Sequence, residues 1–405
     1  MAEVSTLCGN GVPAFSGGSA ASARFKSPSG ITFDKQSHHL IVTDTGNHCI
    51  IQVTVGGDVS LYAGNGGVGI SDGCGASAQF NCPNGSVAFD GKDNFFFTDT
   101  ENHRICKVTP GHEVTTIAGS GVRGCADGLG TAAQFNYPAG IAVDGDGNCF
   151  VTDWWNHRIR KIAPNGYVTT YAGSGDAGFA DGSATTAQFN RPSGITIDEA
   201  GNLFVTDLLN HRIRMIDGDG NVTTVAGTDT SGVTDGSVRI AQFSFPTGIT
   251  IDGGGNLIVA DCGNHRIRMV RCGGDVTTIA GTLPGFVDGT DAMFNSPVAV
   301  TVDNEGNLFV ADANNHCIRV IPGAAAPAMP RIMPAAEDAG GVGTAVTINA
   351  AAVSSSAGAP AAVSSGAGAA AAVSSGAGTA VTPTPPPSLG GSSSSSSDDD
   401  DDDDN

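Results

Sequence analysis

Four short apolar runs follow one another between Phe189 and Gly227, namely Pro192-Ser-Gly-Ile-Thr-Ile-Asp198, Leu203-Phe-Val-Thr-Asp207, Arg212-Ile-Arg-Met-Ile216 and Val222-Thr-Thr-Val-Ala-Gly227. They are rich in Val, Ile, Phe and Thr and are separated by Gly, Asn and Asp, which is the pattern of antiparallel strands joined by hairpins. No helical period is present. The stretch therefore predicts a unit of four β-strands.

The same unit occurs six times, and each copy carries the motif Asp-x-x-Asn-His between its second and third strands. The motif histidines are 55, 54, 54, 54 and 51 residues apart. Six four-stranded units with this period predict an all-β fold, a six-bladed β-propeller of antiparallel blades. The motif residues are Asp44, Asn47, His48, Asp99, Asn102, His103, Asp153, Asn156, His157, Asp207, Asn210, His211, Asp261, Asn264, His265, Asp312, Asn315 and His316.

The sixth unit lacks its fourth strand, because no strand-like run follows His316 at the usual distance. A matching run stands instead at the other end of the chain, where Gly9 precedes Phe25 by the same 16 residues that separate Gly64 from Phe80. Residues 3–9 are therefore predicted to complete the sixth blade. This closure would remove the open sheet edge that otherwise invites aggregation.

The composition changes after Gly323, which divides the chain into a propeller domain, 1–323, and a tail, 324–405. The tail is rich in Ala, Ser, Gly and Pro and ends in a run of Ser and then seven Asp. Such sequence buries too little apolar surface to offset the entropy of ordering. We expect a flexible, disordered extension.

The motif, with Asn-His-Arg-Ile after a strand that ends in Asp, and with Ala-Gly and Phe-x-x-Pro-x-Gly-Ile around it, resembles the NHL-repeat family over about residues 3–321. The resemblance implies a six-bladed propeller that serves as a platform for proteins or RNA. Some related six-bladed propellers are metal-dependent lyases or lactonases, so the resemblance also leaves an enzyme as an alternative.

The charge of the chain argues against nucleic acid. The 405 residues include 19 Lys and Arg against 40 Asp and Glu, a net charge of −21, of which residues 1–323 carry −13. An RNA-binding platform needs clustered cations, whereas the long connections between blades hold only five dispersed ones, Arg24, Lys26, Arg123, Arg191 and Arg239. An RNA-binding platform stays as an alternative function.

The first residues lack the basic and apolar regions of a signal peptide, and no apolar run is long enough to cross a membrane. These patterns predict an intracellular, cytoplasmic protein. We expect a monomeric propeller.

One motif per blade places the six histidines on a ring, too far apart to share a metal ion. We interpret the motif as turn chemistry, with Asp accepting backbone N–H groups, Asn in a left-handed conformation and His packed over the hairpin. The Asp-Gly pairs of the connections have the same interpretation. The starts of the first strands, Ser29, Asn84, Ala139, Ser193, Thr247 and Val298, include no acid or imidazole, so no catalytic residue, metal or cofactor is predicted.

The two variable residues inside each motif are predicted to lie on one face of the propeller. In two adjacent units they are Trp154-Trp155 and Leu208-Leu209, and Phe179 lies in the connection between them. Clustered exposed apolar side chains, Trp above all, usually mark a partner site. The sequence thus predicts a non-enzymatic protein- or peptide-binding scaffold. The alternative is that Phe179 and the long loops cover these side chains.

Overall fold

Six antiparallel sheets form a closed ring in the computed structural model, which describes residues 1–327. The innermost strand of each sheet contacts the innermost strand of the next, and the sixth returns to the first. The predicted all-β, six-bladed propeller is confirmed. Most of the predicted tail lies outside the described residues.

Each blade contains four main strands, numbered outward from the axis. The first strands are Pro28–Asp34, Pro83–Phe89, Pro138–Val143, Pro192–Ile197, Pro246–Ile251 and Pro297–Val302. The second strands are His39–Asp44, Phe95–Asp99, Cys149–Asp153, Leu203–Asp207, Leu257–Asp261 and Leu308–Asp312. The third strands are Cys49–Thr54, Arg104–Val108, Arg158–Ile162, Arg212–Ile216, Arg266–Val270 and Cys317–Ile321. The fourth strands are Val59–Ala63, Glu113–Ala118, Tyr167–Ala172, Asn221–Ala226, Asp275–Ala280 and, for blade six, Ser5–Cys8.

Blades two to five also gain a two-residue fifth strand from the connection that precedes them. These strands pair with the fourth strand and shield its outer edge. They are Gly73–Cys74, Gly128–Leu129, Gly182–Ser183 and Gly236–Ser237. The short 3-10 helices are Thr45–Asn47, Gly75–Ser77, Thr100–Asn102, Gly130–Ala132, Trp154–Asn156, Leu208–Asn210, Cys262–Asn264 and Ala313–Asn315.

The displaced strand closes the ring as predicted. Ser5–Cys8 pairs antiparallel with Cys317–Ile321, the third strand of blade six. Val4 and Cys8 are almost fully buried, so the N-terminal segment also contributes to the core. The chain then follows the propeller slightly beyond the predicted boundary, because the Ala326 carbonyl accepts a hydrogen bond of 3.0 Å from the Gly253 amide.

Glycine in the first strands lets neighbouring blades meet at the axis. A Cβ atom on Gly194 would stand 2.2 Å from the carbonyl oxygen of Thr247 in the next blade. The Thr206 hydroxyl donates a 2.6 Å hydrogen bond to that same oxygen. Beyond this constriction the axis widens into a cavity of about 410 Å³, lined mainly by Ile, Val, Ala and Thr of the first strands.

The propeller has two different faces. The motif face carries the six Asp-x-x-Asn-His turns and the starts of the first strands, since Pro192 pairs with Asp207 and its counterparts do the same. The hairpin face carries the turns between first and second strands and those between third and fourth strands. The axial cavity reaches the hairpin face near Asp34 and Asp93.

Candidate functional site

The motif Asp and Asn tie the connection between blades to the second strand. In blade four, the Asp207 carboxylate accepts a 2.7 Å hydrogen bond from the backbone N–H of Asn190, a residue just before the first strand. The Asn210 side chain donates to Asp207 at 2.8 Å and to the Gly178 carbonyl at 2.8 Å. Equivalent contacts occur in every blade, so the pair positions the loops that form the motif face.

The left-handed residue of the motif is His, not Asn as the turn interpretation assumed. All six histidines have φ between 52° and 55°. Each Nδ1 accepts a backbone N–H from the neighbouring blade, as in the bonds from the Phe245 amide to His211 at 3.2 Å and from the Arg191 amide to His157 at 3.1 Å. Burial lowers the pKa of every motif histidine below its ordinary value. The six therefore act as neutral acceptors that join separate pairs of blades.

Five blades contain a buried arginine that sequence reasoning missed. In blade four, Arg214 is fully buried and binds the motif residue Asp207 at 2.7 Å and Asp181 of the connection at 2.7 Å. Asp181 also accepts the amide and hydroxyl of Thr224 in the fourth strand. The Asp-Gly acids are thus ion-pair partners rather than simple turn residues. The arginines are Arg104, Arg160, Arg214, Arg268 and Arg319.

Blade one lacks the arginine, the outer acid and the threonine of this network. Its sequence has Ile51, Gly17 and Leu61 where blade four has Arg214, Asp181 and Thr224. Only the motif carboxylate, Asp44, remains, and burial raises its pKa to about 7 although Asn47 and the Lys26 amide donate hydrogen bonds to it. The arginine and its outer acid are absent together, so blade one holds no buried guanidinium that lacks one of its two carboxylate partners.

The predicted patch lies on the motif face and is only partly covered. Trp155 is 42% exposed and Phe179 is 43% exposed, whereas Trp154, Leu208 and Leu209 are half-buried. The two indole rings meet edge to face, with ring centroids 5.6 Å apart. The alternative of complete cover by the loops does not hold for Trp155 or for Phe179 itself.

Arginine side chains lie over both exposed rings. The guanidinium carbon of Arg191 is 3.9 Å from the Trp155 centroid and 5.0 Å from that of Trp154. Arg212 is 3.8 Å from the Phe179 centroid. Stacking of this kind orients the cation while its N–H groups stay at the ring edge. The site is therefore aromatic and cationic, where the sequence predicted only an apolar patch.

Charge is distributed unequally between the faces. Six cations on the motif face take part in no ion pair among the described residues, namely Lys26, Arg123, Arg158, Arg191, Arg212 and Arg266. The hairpins of the opposite face hold three cations, Lys35, Lys92 and Arg271, and many more acids, namely Asp34, Asp58, Asp90, Asp93, Glu113, Asp144, Asp146, Asp198, Glu199, Asp217, Asp219, Asp252, Asp275, Asp303 and Glu305. The acidity of the propeller is thus concentrated on its hairpin face.

Within residues 1–327, no three His, Cys, Asp or Glu side chains are arranged so that they could hold a metal ion. The first strands approach the neighbouring blade so closely at the axis that a Cβ atom on Gly140 would stand 2.4 Å from the Ser193 carbonyl oxygen. No helix in the described part of the chain is long and apolar enough to cross a membrane.

Comparison with known proteins identifies the repeat. The NHL repeat matches residues 25–52, 135–162, 189–214, 243–268 and 294–321. The unit of blade two is unmatched. It has one extra residue in its first strand, and its buried arginine, Arg104, stands directly after the motif histidine instead of three residues later. NHL repeat-containing protein 2 of Bos taurus is 30% identical over 341 residues, which cover 73% of this chain and 46% of that protein. The chain thus spans about half the length of that relative.

Solved structures share the architecture at lower sequence identity. A protein of unknown function from Bacteroides thetaiotaomicron superposes with a TM-score of 0.62 at 20% identity, covering 80% of this chain and 76% of that one. An auxiliary nutrient binding protein from Bacteroides ovatus gives 0.61 at 17% identity, covering 78% and 76%. These similarities show the fold alone.

Proposed function

Because the chain belongs to the NHL-repeat family, we propose that it is a non-enzymatic scaffold that binds a protein or peptide partner through its motif face. The observation that carries this proposal is the exposure of Trp155 and Phe179 beneath stacked arginines. Large aromatic side chains and Arg are the residues that most often dominate binding energy at interfaces. A folded monomer gains little from leaving them in water.

The chemistry of the patch favours a partner that carries an apolar residue flanked by acids. Arg191 makes no side-chain hydrogen bond with the described residues, so its guanidinium can donate to a carboxylate while the Trp155 ring packs against an apolar side chain. The acidic hairpin face repels such a partner, and the unpaired cations attract it to the motif face. Charge thereby selects the orientation of approach.

Selection from a displayed random-peptide library tests the proposal. We expect the wild type to enrich peptides with apolar and acidic residues, and Trp155→Ala to lose them. Tyr167→Ala is the matched control, because Tyr167 is 49% exposed in the same blade but lies at the third-to-fourth-strand turn of the opposite face. Equal enrichment by Trp155→Ala and the wild type would contradict the proposal, and loss by both variants would show an effect of stability rather than of the patch.

RNA binding is the second candidate, favoured by the unpaired cations of the motif face. Three of these, Arg158, Arg212 and Arg266, lie at the starts of third strands and extend the set found in the connections. The net charge of −13 for residues 1–323 opposes it. Filter binding of single-stranded RNA at low salt distinguishes the candidates: retention that weakens steeply with salt and with Arg191→Ala would favour RNA over a peptide.

A further inference from the structure

Three of the nine histidines lie outside the repeat motif, and all three belong to the hairpin face of blades one and two. His38 and His39 follow the first strand of blade one, and His112 lies between the third and fourth strands of blade two. The His112 ring stacks on Tyr62 of blade one with centroids 4.1 Å apart. The histidines of the motif have structural partners in every blade, whereas these have no counterparts elsewhere in the repeat.

Three turn positions in this region hold side chains where the repeat uses glycine. His38, Asp93 and His112 have φ of 56°, 64° and 62°. The positions equivalent to His38 and Asp93 in the other blades are Gly147, Gly201, Gly255 and Gly306, and those equivalent to His112 are Gly57, Gly166, Gly220 and Gly274. A left-handed backbone disfavours L side chains, so the turn itself is best served by glycine. The turn geometry therefore does not require these three side chains. His112 does contact the neighbouring blade, since its Nδ1 lies 3.1 Å from the Tyr62 carbonyl oxygen, and His38 meets Phe33 edge to face.

A cleft of about 300 Å³ lies between the two blades at this place. Its lining includes Tyr62, Phe89, Asp93, Phe95 and His112. Tyr62 meets Phe95 edge to face at 5.3 Å, which builds an aromatic wall. The cleft and the axial cavity share part of their lining, Asp34, Gln36, Phe89 and Asp93. Cavities of this size accept small molecules.

The polar groups of the cleft differ in their availability. Asp34 is already hydrogen-bonded, since its carboxylate accepts hydrogen bonds from the Gln36 backbone N–H at 2.9 Å and from the Ser37 hydroxyl at 2.5 Å. Asp93 is half-buried and accepts no hydrogen bond or ion pair from the described residues. A free carboxylate beside aromatic rings is the combination that binds organic ammonium groups.

We propose that the cleft between blades one and two on the hairpin face binds a small organic cation, a protonated or quaternary amine, with Asp93 as its counter-ion and the rings of Tyr62, Phe89 and His112 as its wall. The two hairpins beside the cleft carry three acids, Asp34, Asp90 and Asp93, against two cations, Lys35 and Lys92, and this net negative charge favours cations. The site lies on the face opposite the motif-face patch, so its test is independent of the proposed partner binding.

Ligand-observed NMR titration of the full chain tests the proposal with choline and n-butylammonium as probes. The neutral isostere of choline, 3,3-dimethyl-1-butanol, is the matched control ligand. We expect saturable binding of at least one ammonium probe, and binding of the isostere that is weaker by about tenfold, because a charge-assisted contact is lost. Absence of saturable binding for both ammonium probes, or equal binding of choline and its isostere, would overturn the proposal.

Variants separate a binding role from a structural one. Asp93→Asn is expected to weaken ammonium binding by about tenfold, and Asp93→Gly to do the same while the melting temperature stays equal or rises. Asp219→Asn makes the same charge change at an exposed turn of the same face and should bind as the wild type does. Wild-type affinity in Asp93→Asn would contradict the proposal, as would a lowered melting temperature in Asp93→Gly, because the side chain would then serve the fold.

Discussion

Replacement of Arg214 by Met tests the buried ion-pair network most sharply. The Arg214 side chain is fully buried, and Asp207, one of its two carboxylate partners, is also fully buried. Met retains much of the apolar volume but leaves Asp207 without a cation. Removal of one partner from a buried pair costs about 3–5 kcal/mol, since an uncompensated charge stays in the core.

The pH dependence of this loss follows from Asp44, the carboxylate that lacks an arginine naturally. Burial raises its pKa to about 7. Burial also raises the pKa of Asp207, and Arg214 opposes that rise, so we expect the pKa of Asp207 to rise further, to a similar region, in Arg214→Met. A carboxyl with a folded pKa above its unfolded value binds protons preferentially when folded, so acid relieves the penalty. The destabilisation should be complete above pH 7 and should shrink by about 1 kcal/mol per pH unit between pH 7 and 5.

Equilibrium urea unfolding at pH 8 and pH 5.5, followed by far-ultraviolet circular dichroism, measures both effects. Arg212→Met is the matched control, because Arg212 lies on the same strand but forms no ion pair among the described residues; its loss should stay below about 1 kcal/mol. A loss below about 1 kcal/mol for Arg214→Met at pH 8, or an equal loss at both pH values, would refute the reasoning.

Three further perturbations address ring closure, the motif and the axis. Deletion of residues 1–9 removes the fourth strand of blade six, and thermal melting should show a sharp fall; an unchanged melt would exclude the closure. His211→Asn keeps a residue that tolerates the left-handed turn but loses the acceptor for the neighbouring blade, so it should cost about 1–2 kcal/mol above pH 7. That difference should shrink as the pH falls below the unfolded His value of about 6.5 and through the lowered pKa of His211; a difference that grows in acid would count against a neutral acceptor. Gly194→Ala should destabilise by about 1–3 kcal/mol or more, because its Cβ meets backbone, whereas Gly218→Ala, with open space around it, should melt as the wild type does.

The propeller and its closure were predictable because the determinants are local and repeated. Each blade consists of neighbouring strands joined by short turns, so strand order follows chain order. The interval from Gly9 to Phe25 matched the interval in the complete units, which located the displaced strand without knowledge of any long-range contact. A propeller must close its ring of blades, so this strand was expected to complete blade six.

The arginine network was not predicted because its partners are distant in sequence. Asp181 is 33 residues from Arg214, and its Asp-Gly context is typical of turns. One signal was available: a charged residue recurs in the middle of an apolar strand three residues after most motif histidines. Arg104 departs from that spacing, since it stands directly after His103, and it still forms ion pairs with Asp99 and Asp72.

The left-handed residue of the motif was assigned wrongly because local turn preference favours Asn. The deciding interaction is between blades: the His Nδ1 accepts an amide from the next blade, and the left-handed conformation places the ring there. Asn is used instead to hold the connection through its side-chain amide. Because this contact joins two blades, the sequence of a single unit does not reveal it.

The candidate site was predictable in position but not in chemistry. The motif spacing placed Trp154 and Trp155 on one face, yet only Trp155 is strongly exposed. Its stacking partner, Arg191, lies 36 residues later in sequence and belongs to the segment that leads into the next blade. Loop packing, which the repeat does not specify, decides which rings stay in contact with water.

The most direct test of partner binding is the affinity of one selected peptide for three proteins, measured by isothermal titration. The proposal predicts that Trp155→Ala weakens the wild-type affinity by about thirtyfold or more, the effect of losing an interface hot spot of at least 2 kcal/mol. Tyr167→Ala should bind as the wild type does, and all three proteins should melt together. Undiminished affinity in Trp155→Ala would contradict the claim that the motif face binds the partner.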